Sequence, residues 1–421
     1  MKLFATVGCG RYEYTTYVLD QRAHASRYCP VALASILGPS LVFPIMTREA
    51  EAAHGEAIRA ELDAMGTPSR VVLIPRGGTR EEAWDIFRIL VDRVEEGDEI
   101  AYDITHGFRY LPLLTFLAGF YGYFVRPAVL KGVYYGAFEA KVDGRTPVFN
   151  LSSFEELIHW ISASLAFSRF GSAEAAGELL ARAQDLARRQ ARGEPVYLKR
   201  MGRHLESLSR AIMAGRTPEA LDGAARLAKW LVQRTERVEL QNEVSAWAVP
   251  FVSLLDRTFE GFAKLGPREG ERYWHACLRL AEWYRDHGHI HLAGQLLRET
   301  VVTAVVEVNR GSAAARDDTA RQWAEKWLNL QAKSGTPVGK TWAELRDCGN
   351  DLAHMGFRPH PKPVATVIDM LDRQLRVISD LQERDLAVTA LGGDPSKGGG
   401  TAYCPNREGS TYGVRGSEGG G

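Results

Sequence analysis

Apolar and polar positions along the first 150 residues alternate between strand-like and helix-like patterns. Helical patterns lie at about 27–37, 47–66, 79–97 and 108–125. Short apolar runs typical of buried strands separate them: KLFATV (2–7), SLVFPI (40–45), RVVLIP (70–75), DEIAYDI (98–104) and AVLKGVYYGAF (128–138). VDGRTPVFNL (142–151) adds a turn and a short edge strand. Strands separated by helices predict a doubly wound α/β domain over 1–153, with a parallel sheet covered by helices on both faces.

From residue 154 to about 390 the strand signal disappears and helical patterns follow one another, which predicts a separate all-α domain. Its tryptophans are spaced as core residues. The remaining segment, 391–421, is rich in glycine and almost free of aliphatic side chains. Such a segment cannot bury enough surface to offset its chain entropy, so we expect a disordered tail.

Composition narrows the class of protein. The chain has 421 residues and a formal net charge of +0, so no overall field points to nucleic acid or an anionic membrane. The five cysteines form no CxxC pair and no metal-binding spacing. The most apolar window, 110–125, is shorter than the roughly 20 residues of a membrane span. We expect a cytoplasmic protein that needs no membrane, metal or cofactor.

Two strand ends carry unusual residues. The segment 6–17 contains Gly8 and Gly10, whose backbone can approach a ligand closely, followed by Tyr12, Thr15 and Thr16. The segment 102–109 reads YDITHGFR. There Thr105 is the expected N-cap of the next helix, and His106 and Arg109 add hydrogen-bond donors. Aromatic side chains near the end of the fifth strand are positioned to stack on bases: Tyr134, Tyr135 and Phe138.

Taken singly, each loop is explained as a glycine turn or a helix cap, and the first lacks the third glycine of a dinucleotide fingerprint. Ligands of doubly wound sheets bind beyond the carboxyl ends of the strands. Two such loops that open on one crevice therefore predict a nucleotide or phosphate site.

The motif DITHGFRYLP (103–112) resembles the DxTHG signature of CRISPR-associated proteins that carry a CARF domain, a Rossmann-like sensor. The resemblance extends through GCGRYEYTTY, IPRGGTREEAWDIF, KGVYYGAFEA and TPVFNLSSFEELIHW, and more thinly to 280–304 and 346–357. It implies a homodimer that binds a cyclic oligoadenylate across its two-fold axis, with the ring of four adenylates favoured. The implied ligand-binding residues are Gly8, Cys9, Gly10, Tyr12, Thr15, Thr16, Asp103, Thr105, His106, Gly107, Phe108, Arg109, Tyr134 and Tyr135.

The segment ELRDCGNDLAHMGF (344–357) resembles the ribonuclease motif of HEPN domains, in which an Arg, usually followed by Asn, precedes a His. The resemblance implies metal-independent cleavage of single-stranded RNA, with His354 acting on the attacking or leaving oxygen and an arginine steadying the phosphate. Asn350 and His354 are in place, but Gly349 stands where the Arg is expected. Arg346, one helical turn earlier, is the candidate substitute, and an exposed structural charge is its alternative role.

Two weaker signals accompany this motif. Arg285 and His291 fit a loose form of the same spacing, and with His287 and His289 they also suggest a metal cluster. Exposed polar residues at a turn explain them equally well. The stretch ARRQARG (187–193) is typical of a solvated helix end and could also contact RNA phosphates.

The sequence thus predicts a sensor in 1–153 that controls a HEPN-like ribonuclease in 154–390. Two alternatives stay open. The missing arginine would leave an impaired sensor that reports, sequesters or slowly degrades the messenger. Without the resemblance, a nucleotide-binding regulatory scaffold with a helical dimerisation domain remains.

Overall fold

The computed structural model describes residues 1–189, 195–232 and 234–388. The chain divides into two compact units, Met1–His159 and Trp160–Gly421. The predicted tail at 391–421 and the second half of ARRQARG lie outside the described residues.

The N-terminal unit is built on one mixed sheet with the strand order β3-β2-β8-β7-β6-β1-β4-β5. Its strands are β1 (Lys2–Thr6), β2 (Thr15–Leu19), β3 (Arg22–Ser26), β4 (Leu41–Met46), β5 (Val72–Leu73), β6 (Glu99–Asp103), β7 (Val129–Gly136) and β8 (Arg145–Asn150). The five strands from β7 to β5 are parallel, as the sequence predicts. The α/β class is confirmed.

The prediction of a purely parallel sheet was wrong at one side. β8 pairs antiparallel with β7 and parallel with β2, so it lies inside the sheet and is not an edge strand. β2 and β3 form a hairpin that the sequence analysis missed, because the turn at Asp20 contains neither glycine nor proline. As a result, β2 and β8 begin at the edge where β1, β6 and β7 end.

Helices cover both faces of this sheet, as predicted. Fully buried Leu3 packs in a cluster with α1, whereas its neighbour Phe4 packs in a second cluster with α4 and α5. The helices are α1 (Cys29–Leu37), α2 (Arg48–Ala50), α3 (Glu56–Ala64), α4 (Arg80–Val91) and α5 (Tyr110–Val125), with a π-helical turn over Glu51–Gly55.

Local hydrogen bonds explain where α4 begins and ends. The hydroxyl of Thr79 accepts a hydrogen bond from the Glu82 amide, which confirms Thr79 as the N-cap of α4. The same helix ends at Val91 and not at Gly97, because the Asp98 carboxylate accepts a hydrogen bond from the Glu95 amide and closes a separate turn.

The second unit is helical throughout its described residues. It contains α6 (Ser153–Phe170), which crosses the unit boundary, and then α7 (Glu174–Arg189), α8 (Tyr197–Met213), α9 (Thr217–Val232), α10 (Arg234–Trp247), α11 (Val252–Ala263), α12 (Tyr273–Asp286), α13 (Ile290–Arg310), α14 (Asp318–Ser334), α15 (Pro337–Ala353), α16 (Val364–Ser379) and α17 (Glu383–Leu386). The predicted core role of the tryptophans is confirmed, because the members of this set are buried in or packed against one cluster: Trp160, Trp230, Trp247, Trp274, Trp283, Trp323, Trp327 and Trp342.

Two helix glycines of this unit should respond oppositely to substitution by alanine. A Cβ on Gly177 would lie 2.6 Å from the Gly202 carbonyl oxygen, so Gly177→Ala should cost about 1–3 kcal/mol through overpacking. A Cβ on Gly349 would lie 3.5 Å from Arg298 Cδ, an ordinary contact. Gly349→Ala should therefore stabilise the helix by about 0.5–1 kcal/mol. Thermal unfolding followed by circular dichroism measures both, and shifts of the same sign would contradict the packing.

Candidate ligand site at the sheet edge

The two glycine loops meet at the carboxyl edge of the sheet. A Cβ placed on Gly8 would lie only 3.0 Å from the Gly107 Cα, so the two backbones are in direct contact. Gly107 has a φ of +105°, which other residues rarely adopt. The Thr6 hydroxyl holds the loops together, since it lies 2.5 Å from the His106 carbonyl oxygen and 3.3 Å from that of Asp103.

A buried polar cluster lies beneath these loops. Oδ1 of Asp103 accepts hydrogen bonds from the Thr105 amide at 3.0 Å and its hydroxyl at 2.5 Å. The Thr105 hydroxyl is also 2.8 Å from the Gly136 amide nitrogen and 3.2 Å from Cys29 Sγ. Asp103 is fully buried, and burial raises its pKa to about 6.

This cluster corrects two predictions. Thr105 does not cap the following helix, because α5 begins only at Tyr110, after Arg109, and the Thr105 hydroxyl is used by Asp103 and Gly136. Asp103 is buried below the loop and does not face the crevice. Both residues therefore position the loop that carries His106. Asp103 is buried, whereas Thr105 is partly exposed and stays a candidate ligand residue.

Aromatic rings packed at a tilt form one wall of the crevice. The Tyr12 ring lies 4.2 Å from the His106 ring and 4.7 Å from the His54 ring, measured between centroids. Its hydroxyl exchanges hydrogen bonds of 2.8 Å with the amide and the carbonyl of Gly8. His54 Nε2 lies 2.8 Å from the Gly10 carbonyl oxygen. Tyr12 thus fixes the first loop against the second.

His106 is partly buried and neutral at physiological pH. Burial, with a smaller effect of His54, lowers the pKa of His106 to about 4. The Cys29 amide donates a hydrogen bond of 3.4 Å to His106 Nε2, so this nitrogen is an acceptor. Cys29 is the first residue of α1, and the positive end of that helix therefore points at the crevice.

Free backbone donors remain at the meeting point. In the two loops, the amides of Cys9, Gly10, His106 and Gly107 have no hydrogen-bond acceptor among the residues that the structure describes. Arg11 and Arg109 are exposed beside them. Clustered free amides at the end of a parallel sheet, close to a helix N-terminus, favour a phosphate or another anion.

Other predicted ligand residues lie elsewhere. Thr15 is buried and its hydroxyl bonds to Gly144 and Thr146, so it belongs to the β2–β8 pairing, as does the backbone of Thr16. The Tyr134 ring lies in the core over Gly132, and it is not available for stacking.

The remaining aromatic candidates are more exposed. Tyr135 donates a hydrogen bond to Glu139 from its hydroxyl. Phe108 is exposed at the crevice and stacks on Tyr110, and Phe138 carries the Lys141 ammonium 4.8 Å above its ring. Phe108 is thus the candidate aromatic that remains open beside the glycine loops.

The sequence analysis missed three residues of the site: Cys29, Tyr28 and His54. Tyr28 Oη lies 3.3 Å from His54 Nδ1, and both rings pack on Tyr12. The sequence signal for these residues was weak, because none of them lies in a glycine-rich loop after a strand. The position of α1 after the unrecognised β2–β3 hairpin brings Tyr28 and Cys29 to this edge.

In the helical unit, the HEPN-like motif occupies the end of α15. Arg346, Asn350 and His354 are all exposed and spaced four residues apart, so they share one strip of the helix surface. Arg346 donates a hydrogen bond of 2.8 Å to Asn329 Oδ1. Gly349 lies on the buried face instead, where Gln295 donates a hydrogen bond to its carbonyl oxygen and Arg298 packs over its Cα. The expected arginine position therefore faces α13 and not the strip.

The second motif candidate is structural. Arg285 forms an ion pair with Asp372, with 2.6 Å between Nε and Oδ1. The rings of His287 and His289 stack on Trp283 at 4.1 and 6.0 Å. Among the described residues, no group of three or more His, Cys, Asp or Glu side chains could hold a metal ion.

Comparison with known proteins finds similarity in the part of the chain that forms the crevice. Residues 2–125 match the family model of the CARF domain of the CRISPR system endoribonuclease Csx1. The chain is also 34% identical over 116 residues to the CRISPR-associated protein MJ1674 of Methanocaldococcus jannaschii. That match covers 27% of this chain and 18% of the relative, so the chain spans under a fifth of the relative's length.

Most of the N-terminal unit is therefore similar to a CARF domain, and the two glycine loops lie within the matched residues. The matches cover less than a third of the chain, so they describe this stretch and not the whole protein. The family model ends at residue 125, before the helical unit. No described helix combines the length and the apolar character of a membrane span.

His106 and Asp103 should give opposite pH dependences of stability. Below its ordinary pKa of 6.5, His106 is protonated more readily in the unfolded chain, so acidification destabilises the fold. Asp103 has a folded pKa of about 6 against an ordinary 3.8, so it takes up a proton on the folded side and acidification stabilises the fold. The two effects offset each other between about pH 6 and 4.

Single variants separate these effects. When the pH falls from 7.5 to 5, the free energy of unfolding of Asp103→Asn should decrease by about 1–2 kcal/mol relative to that of the wild type. The free energy of unfolding of His106→Gln should increase by a similar amount relative to the wild type. Thermal unfolding at the two pH values measures the difference. A wild-type pH dependence in both variants would contradict the assigned protonation states.

Proposed function

We propose that this protein is a cyclic-oligoadenylate-activated, metal-independent single-stranded RNA endonuclease of type III CRISPR defence. The observation that carries the sensor half is the contact between Gly8 and Gly107, which groups four free amides at one point. A ring of ribose phosphates presents to such a surface negatively charged groups that backbone amides can contact. His106, being neutral, supplies hydrogen bonding and shape there, and the positive potential comes from the amides and the first turn of α1.

The effector half is supported by the exposed strip of α15. His354 is the general acid or base, and Arg346 and Asn350 steady the phosphate. Arg346 would leave Asn329 to reach a substrate. Next to the strip, Met355, Phe357 and Val364 are strongly exposed, which suits a second copy of the chain covering them.

The CARF domain also exposes an apolar stripe that supports a homodimer. On α5, Leu113, Leu117 and Tyr121 follow at intervals of four residues with 62%, 50% and 49% of their surfaces exposed. Beside them lies an apolar hollow of about 290 Å³, lined by Phe116 and Leu157 among others. An isologous dimer through this face would present two crevices to one symmetric ring.

A second candidate function is an impaired sensor that binds the ring without cutting RNA. It is favoured by Gly349, whose buried position leaves Arg346 as the motif's arginine, eight residues before His354. Removing one positioned phosphate donor typically costs about 10²–10³ in rate. Ring binding without cleavage would select this candidate.

The dimer is tested by the mass of the chain in solution. Leu117→Glu places a charge in the apolar stripe and should convert dimer to monomer in analytical ultracentrifugation. Val142→Glu, at an exposed position outside the stripe, is the control and should stay dimeric. A dimer that survives Leu117→Glu would place the interface elsewhere.

Cleavage is tested with labelled RNA, a chelator and synthetic rings of four and six adenylates. We expect cleavage that depends on the ring of four, is abolished in His354→Ala and falls about 10²–10³-fold in Arg346→Ala. His291→Ala should cleave as the wild type does. Cleavage without a ring, or in His354→Ala, would contradict this assignment.

A further inference from the structure

A basic groove lies on the helical unit between α7 and α8. It has a volume of about 660 Å³, and its lining includes Arg188 of α7 and Lys199, Arg200 and Arg203 of α8. Among the residues that the structure describes, no acidic side chain lines it. The two helices are antiparallel and touch at Gly177 and Gly202, where their backbones are in contact.

Two of its four cations are not neutralised. Lys199 is paired with Asp185 at 3.0 Å, and Arg200 with Glu236 at 2.8 Å. In contrast, Arg188 and Arg203 are exposed, and within the described residues their guanidinium groups have no hydrogen-bond or ion-pair partner. Two arginines without an ion pair at the mouth of a basic groove are suited to an anionic partner.

The floor of the groove is polar and incompletely satisfied. His204 separates it from a smaller hollow of about 180 Å³ that Arg226 lines. Glu219 and Asp222 also line this smaller hollow, so the excess of positive charge is confined to the groove. Burial is the main cause that lowers the pKa of His204. Within the described part of the chain, Nε2 of His204 is buried without a partner, as expected where a ligand or water completes a site.

We propose that this groove binds a single-stranded polynucleotide through its phosphates. The choice of a single strand rests on the proposed function, and the polar lining with its Ser207 hydroxyl favours a phosphodiester chain over a lipid surface. The groove is distinct from the motif strip: α15 packs mainly on α13, α14 and α16, whereas α7 and α8 pack mainly on each other, α9 and α10. The groove would thus anchor RNA at a surface separate from the proposed cleavage site. The choice of RNA as the probe rests on the proposed function.

The test measures binding and not cleavage. The full chain carrying His354→Ala, without any ring, is titrated into a labelled 20-nucleotide oligouridylate at several salt concentrations, the probe length being about the size of common single-strand sites. The pair Arg188→Gln/Arg203→Gln should weaken binding about tenfold and reduce the slope of log K against log salt by about 1.4, since each lost phosphate contact on a single strand contributes about 0.7.

The matched control is Arg169→Gln/Arg257→Gln, which removes two exposed arginines of the same unit and should change neither quantity. Unchanged thermal midpoints confirm that both pairs fold. An unaltered slope in the groove pair, an equal loss in the control pair, or groove-dependent binding to anionic vesicles in place of RNA would overturn the proposal. Failure of ring-dependent cleavage would leave this result standing, because neither the ring nor His354 takes part in the assay.

Discussion

The sensor crevice depends on one steric constraint, the backbone contact between Gly8 and Gly107. Two chain segments about 100 residues apart approach so closely that a methyl group on Gly8 would press on the opposing Cα at 3.0 Å. The Thr6 hydroxyl fixes this approach from below, because it bonds to two carbonyl groups of the second loop. Without the contact, the free amides of the two loops would not face one ligand.

The layers beneath the contact hold the second loop through hydrogen bonds. Asp103 and Thr105 form a buried hydrogen-bonded pair that reaches Gly136 on the neighbouring strand β7. His106 then extends into the crevice as a neutral ring held between Tyr12 and the first amide of α1. The anion binding proposed here would therefore use backbone geometry and a helix end, and it would not require protonated histidine.

Much of this arrangement could be predicted from the sequence, because period and glycine spacing are local signals. The parallel strands, the helices over both faces, the Thr79 cap and the convergence of the two loops all follow from such signals. The β2–β3 hairpin could not be predicted, since its turn has no glycine or proline. Because the hairpin was missed, the positions of Thr15, Cys29 and β8 were missed as well. The buried roles of Asp103 and Tyr134 also escaped prediction, because side-chain direction at a strand end depends on the neighbouring strands.

The most direct test of the sensor site is equilibrium binding of a cyclic tetraadenylate to the wild type, Gly8→Ala and Gly78→Ala. Gly78 lies in a loop at the same sheet edge, and a Cβ there would meet only the flexible Glu82 carboxylate, at 3.7 Å. We expect one ring per two chains for the wild type and Gly78→Ala, and an affinity lower by about tenfold or more, or about 1.4 kcal/mol, for Gly8→Ala. Absence of binding to the wild type, or equal affinities for all three proteins, would contradict the account.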